Sequence, residues 1–135
     1  MPRFAAEFVE TGSDVVRRAE LTELLGVRIR NFGGIVQELA PGASLDRDDM
    51  RLILCRSASR LTYLAYVARC VLRRQWAIRG IDLAYGKKVS CEYLPSSAVQ
   101  EQPKIYVEAD GELLGTLPIE ITMVPDALTL LAPPR

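Results

Sequence analysis

The chain has 135 residues, 49% hydrophobic and 25% charged, the size and composition of one globular domain, which excludes a disordered tail, a collagen-like fibre and a coiled coil. Lys plus Arg and Asp plus Glu number 17 each, so no overall basic field collects nucleic acid, and none is expected as a partner. Histidine is absent. That removes every Ser-His or Cys-His nucleophile and every histidine-bearing zinc site, leaving chemistry to carboxylates, Lys/Arg, hydroxyls or a bound ion.

Phe4–Val9 reads as a strand stopped by Thr11-Gly12-Ser13. Ser13-Asp14 then either caps a helix over Val15–Leu25 or precedes another strand, and the pattern leaves both open. Val27-Arg28-Ile29-Arg30 alternates apolar and basic, the period of a strand. It meets a turn at Asn31-Phe32-Gly33-Gly34, and Ala40-Pro41-Gly42 makes a second. Leu45–Asp49 is acidic and leads into the strand Met50–Cys55.

The spacing predicts one helix over Arg60–Arg74, with Ser57 or Ser59 as N-cap. Leu61, Leu64, Ala68 and Val71 form an apolar stripe expected to be buried, with Thr62, Tyr66, Arg69 and Arg73 on the polar side. The rest reads as strands. Ala77–Ala84 and Lys88–Tyr93 are expected to form a hairpin around Tyr85-Gly86-Lys87, and Lys104–Ala109 with Glu112–Leu117 another around Asp110-Gly111. After the polar loop Leu94–Pro103, further strands fall at Pro118–Val124 and Ala127–Leu131. The expected fold is mainly β (α+β): an antiparallel two-sheet β-sandwich of six to eight strands with one crossing helix.

Cys55, Cys70 and Cys91 are odd in number, widely spaced and set among apolar residues, so they read as buried free thiols of a reducing compartment. The longest apolar stretch, Leu61–Leu72, contains Arg69 and is too short to cross a bilayer, and no signal peptide opens the chain. A cytoplasmic protein, peripheral to the membrane at most, is expected.

Three constellations carry candidate chemistry. Asp110 and Glu112 lie two residues apart at a hairpin tip, on one side if the chain is extended, where paired carboxylates can hold a metal ion or take a proton from a hydroxyl. The plain alternative is a turn and nothing more. Asp46, Asp48 and Asp49 suit a hard cation such as Mg²⁺, or simply solvate a loop beside a strand edge. Arg56, Arg60, Arg69, Arg73, Arg74 and Arg79 can meet phosphates or anionic lipid, or form the wet face of a surface helix.

Taken in order, Arg30-Asn31-Phe32-Gly33-Gly34, Ala40-Pro41-Gly42-Ala43, Tyr106–Gly115, Leu117-Pro118-Ile119-Glu120-Ile121 and Val124-Pro125-Asp126-Ala127-Leu128 resemble the C-terminal domain of the diacylglycerol kinase catalytic family, which includes bacterial lipid kinases and sphingosine kinases. The resemblance implies an ATP- and Mg²⁺-dependent transfer of phosphate to a lipid hydroxyl at a membrane surface. It makes Asp110 the general base and Glu112 its partner near the base or metal. In that family ATP is bound mainly by an N-terminal domain with a G-G-D-G-T loop, which these 135 residues do not contain. The chain is therefore expected to be the substrate-side half, inactive alone, with that N-terminal domain as its partner and a homodimer left open. The family's Asp-Gly pair at a structural Mg²⁺ falls here on Arg47-Asp48, so the ion would fall to Asp46 and Asp48, with Asp49 as a further substitute. The rival expectation is a non-catalytic β-sandwich module of the same descent.

Overall fold

Alternation about each strand axis decides which side of the main sheet a residue serves. The computed structural model describes residues 1–13, 15–30, 38–74, 76–95, 103–125 and 127. Among them run β1 (Phe4–Glu10), β2 (Val16–Leu21), β3 (Glu23–Val27), β4 (Met50–Cys55), α1 (Arg60–Val71), β5 (Ile81–Tyr93), β6 (Tyr106–Ala109), β7 (Glu112–Thr116) and β8 (Ile119–Thr122). Every pairing is antiparallel. The main sheet has the order β2-β1-β5-β4-β3, with β8 also on β5, and β6-β7 forms a second, two-stranded sheet. The described residues are thus mainly β, with two antiparallel sheets and one helix.

β4 is buried on both faces and shows the division. Leu52 and Leu54 enter a core with Phe4, Phe8, Leu21, Val89 and Cys91, and Ile105 and Val107 from the smaller sheet's end pack against it. Ile53 and Cys55 point the other way, into a core with Val27, Ala40, Tyr66, Cys70 and Ile81. α1 covers that second face. All three cysteines are buried and free, and burial pushes the Cys55 and Cys91 thiols up to about 11.

Several boundaries differ from the sequence reading. Of the two readings left open after Ser13, the structure takes the strand, as β2 and β3, and β3 ends at Val27 where a strand was expected to begin. No hairpin forms at Tyr85-Gly86-Lys87. β5 runs straight through, pairing with β4 over Ile81–Gly86 and with β1 over Gly86–Tyr93. Glycine is needed there for close approach, since a Cβ at Gly86 would stand 3.2 Å from Leu52 Cδ1 and 3.4 Å from the Val9 carbonyl oxygen. The turn at Asn31–Gly34, most of the loop Leu94–Pro103 and most of the strand expected at Ala127–Leu131 lie outside the described residues.

The largest difference is the rotation of α1. Its buried residues are Tyr66, Arg69 and Cys70, whereas Leu61 is 74% and Leu64 63% exposed, and Val71 is exposed too. The side of the sheet beneath the helix offers polar partners that an apolar stripe cannot satisfy. Tyr66 Oη donates to the Leu39 carbonyl at 2.5 Å. Thr22 Oγ1 lies 2.9 Å from Tyr63 Oη and within hydrogen-bond distance of the Ser57 and Cys55 carbonyls, at 2.9 Å and 3.1 Å, and Ser57 Oγ is 3.0 Å from Thr62 Oγ1. Arg69 lies over the Tyr66 ring at 4.5 Å, and burial pushes the Tyr66 phenol up to about 12. Ser59 holds the cap position without a side-chain cap bond.

Candidate functional site

The smaller sheet is a projecting arm, rooted in the core at one end and bare at the other. At its root Leu117 is buried, its N–H bonds the Ile105 carbonyl at 3.1 Å, and the Ile105 N–H bonds Tyr93 Oη at 3.3 Å. Tyr106 beside the root, and Leu113 and Leu114 toward the tip, are exposed. The turn is closed by the pair Ala109↔Glu112, with Asp110 at φ 51° and Gly111 at φ 86°. Two successive positive φ values are the type I′ geometry whose twist matches a hairpin, and Asp-Gly is among the few dipeptides that adopt it without strain. One extra residue, Leu114, sits between the pairs Glu108↔Leu113 and Val107↔Gly115 and bends the arm.

Asp110 and Glu112 are therefore held together at one tip, both exposed. Asp110 stands in the turn itself rather than in extended chain, so the strand argument for a shared side is replaced by the turn that carries it. Neither carboxylate makes a hydrogen bond or ion pair among the described residues.

The acidic loop is arranged differently. Asp49 is 3% exposed and takes both donors of Arg47, Nε to Oδ1 at 2.6 Å and Nη2 to Oδ2 at 2.8 Å. That bidentate bond holds the Asp49 carboxyl below its ordinary value. Arg47 also lies 4.0 Å from the Tyr85 ring centroid and Arg51 4.1 Å from it, and Tyr85 Oη donates to the Gly42 carbonyl at 3.1 Å. The guanidinium of Arg47 is thus the cation of this loop. Asp46 and Asp48 are exposed, and Asp46 is tied locally through Ser44, whose Oγ accepts from the Asp46 N–H at 3.2 Å. Among the described residues no group of three or more carboxylates or thiols converges to hold a metal ion. The donor set around Arg47 does not fit a structural Mg²⁺, whose carboxylate-rich shell tolerates no cation between its ligands.

Sequence reading took Arg47 as an obstacle and Tyr85 as a turn residue. The signal for their partnership was the i, i+2 spacing of Arg47 and Asp49 just before a strand, but nothing in the sequence pairs Tyr85 with Arg47 and Arg51. Of the arginines set apart as a group, Arg56 pairs with Asp82 at 2.6 Å, and Arg69 is buried. A depression of about 10 Å³, room for no more than about one water, is lined by Glu38, Pro41, Arg69, Cys70, Arg73 and Arg74.

Residues 14–132 match the model of the YegS C-terminal NAD kinase beta sandwich-like domain. The chain belongs to this family. A search of curated proteins matched none of them. Two solved structures from Bacillus anthracis Sterne share the fold. One, provisionally described as a diacylglycerol kinase, has a TM-score of 0.59 and 16% identity, over 93% of this chain and 43% of that one. The other, described as a diacylglycerol kinase, has a TM-score of 0.55 and 14% identity, over 93% and 44%. The chain therefore spans less than half the length of these two proteins, and at such identity the likeness is one of fold.

Proposed function

We propose that this chain is the substrate-side half of an ATP-dependent lipid kinase, with Asp110 as the general base that accepts the proton of the attacking lipid hydroxyl. One observation carries the reading: the Asp110 carboxylate is presented at the tip of a rooted arm, in strain-free turn geometry, with no partner among the described residues to occupy its oxygens. Phosphoryl transfer asks little covalent chemistry of a protein. It needs the nucleophile oriented, its proton received and the charge of the moving phosphoryl group neutralised. Asp110 receives the proton, and Glu112, two residues on, is its partner beside the base. ATP is held mainly by a separate N-terminal domain, against which the arm closes the cleft. ATP-bound Mg²⁺ would supply charge neutralisation there, and no step is drawn through Asp46 or Asp48.

The kinship of the chain and the description of its fold neighbours support this reading. The test is incorporation of label from radioactive ATP into diacylglycerol micelles by the longer protein that carries this domain. Transfer is expected. No transfer, with no G-G-D-G-T loop encoded upstream, refutes it. The isolated 135 residues should show no micromolar ATP affinity by calorimetry, and such affinity would place a nucleotide site where none is proposed.

A second reading, a non-catalytic module of the same descent, is favoured by the internal closure of the acidic loop through Arg47 and Asp49. It predicts that the longer protein lacks transfer activity altogether.

A further inference from the structure

α1 is built inside out. Its sheet-facing side carries Thr62, Tyr63, Tyr66, Arg69 and Cys70, and its outward side is apolar along its whole length. Leu61, Leu64, Val67, Val71 and Leu72 are 41–74% exposed, and Ala68 between them is exposed as well. At 100° per residue these six occupy one continuous face, opposite Tyr66. A stripe of large aliphatic side chains is not stable facing water for its own sake, and such a surface marks a docking face.

The charge around the stripe indicates what docks. Between Asp49 and Asp82 there are seven arginines and no acidic residue, which leaves ten basic against 17 acidic residues in the remainder of a chain of zero net charge. The segment that carries α1 is therefore strongly basic, although Asp82 pairs with Arg56 and Glu38 lines a depression with Arg73 and Arg74. Arg60 stands at the start of the stripe, and Arg74 and Arg79 lie beyond its end. All three are exposed and make no ion pair among the described residues. Trp76, 43% exposed, follows directly, at the position where an indole bridges an apolar and a polar layer. A second copy is a poor occupant. An antiparallel contact of two such helices sets Arg60 of one beside Arg74 of the other, and a parallel contact sets each arginine against its own counterpart. Both juxtapose like charges.

We infer that α1 is a membrane-docking helix, whose apolar stripe enters the headgroup boundary of an anionic lipid bilayer while Arg60, Arg74 and Arg79 meet lipid phosphates. The inference rests on the lipid-kinase reading for its biological sense and extends it by naming the surface that holds the enzyme near its substrate. At 12 residues the helix is about 18 Å long, which is too short to cross a bilayer and enough to lie in its surface. No helix among the described residues is long and apolar enough to span. Each arginine near an anionic surface strengthens binding about fivefold, an effect that salt screens.

The experiment is co-sedimentation of the 135-residue chain with two kinds of vesicle, pure phosphatidylcholine and phosphatidylcholine with about one-third phosphatidylglycerol. It uses no nucleotide and no second domain. A loss of binding is thereby separable from a failure of the kinase reading, which is judged by phosphate transfer in the longer protein. The chain should partition at least about tenfold better onto the anionic vesicles, and less well as salt rises. Leu64→Glu with Val71→Glu, both outward-facing, should reduce partition at least about tenfold with an unchanged circular dichroism melt. Arg60→Gln with Arg74→Gln should reduce it about twentyfold on anionic vesicles alone. Equal partition onto both vesicle types, no partition onto either, or full partition of the folded Leu64→Glu/Val71→Glu variant overturns the inference. So does a wild-type dimer that this variant dissociates on a sizing column, which would make a second copy the occupant.

Discussion

Replacing Leu64 by alanine removes three carbons from the middle of the only described helix, and the effect on stability depends entirely on which way that helix faces. In a packed core the change costs about 3–5 kcal/mol, part of it lost transfer energy and part the cavity left behind. Leu64 is 63% exposed. Only about a third of its side chain has left water, and no cavity forms on removal, so the expected cost is about 0–1 kcal/mol. Tyr66 is the reciprocal case. It is 6% exposed, and Tyr66→Ala should cost about 3–5 kcal/mol. Tyr66→Phe keeps the ring, removes the donor to the Leu39 carbonyl and should cost about 1 kcal/mol. Equilibrium urea melts of the three variants, with m-values compared to confirm two-state behaviour, measure these numbers directly. A loss above about 2 kcal/mol for Leu64→Ala, with less than about 1 kcal/mol for Tyr66→Ala, would show that the helix is turned the other way and would remove the basis of the docking face.

The remaining perturbations probe the sheet and the acidic loop. Asp49→Asn breaks the bidentate pair with Arg47 and should cost about 1–3 kcal/mol at neutral pH. Because the Asp49 carboxyl is held below its ordinary 3.8 in the fold, the wild-type advantage is complete above that value and fades as pH falls through the folded value. A wild-type-minus-variant difference that stays constant from pH 7 down to about 3 contradicts the pairing. Gly86→Val forces a side chain against Leu52 and the Val9 carbonyl and should cost about 1–3 kcal/mol, read as a lowered urea midpoint; an unchanged midpoint would mean that β1, β4 and β5 do not meet there.

How much of this was legible depended on whether the determining forces were local. The Asp110-Gly111 hairpin was readable because a two-residue turn with both φ values positive is set by its own dipeptide. β4 was readable because Leu52, Ile53 and Leu54 are apolar in succession, the mark of a strand buried on both faces. β5 was misread because Gly86 serves a close approach by β1 and β4, residues distant in sequence, while a glycine flanked by Tyr85 and Lys87 looks locally like a turn. The helix was placed within three residues of its observed end and turned the wrong way. Amphipathicity tells which side is apolar, but not that the surface beneath presents the Leu39 carbonyl and the Thr22 and Ser57 hydroxyls to Tyr66, Tyr63 and Thr62. At the candidate site, the two hairpin carboxylates were named from the sequence, but their freedom from internal partners was not visible there. The Arg47–Asp49 pair escaped because charge counting treats an arginine among aspartates as a defect in a metal site rather than as the counter-ion itself.

The central claim is that Asp110 takes the proton of a lipid hydroxyl, and its most direct measurement is kcat of Asp110→Asn in the two-domain kinase proposed above. Asparagine keeps the size of the side chain and tolerates the φ of 51° at that position, so the turn survives and the melting temperature should not move. What is lost is the acceptor for the proton. The account predicts a fall in kcat of about 10²–10⁴, with Glu112→Gln falling less. Wild-type turnover in a folded Asp110→Asn protein would contradict it and leave the hairpin as a turn with no part in catalysis.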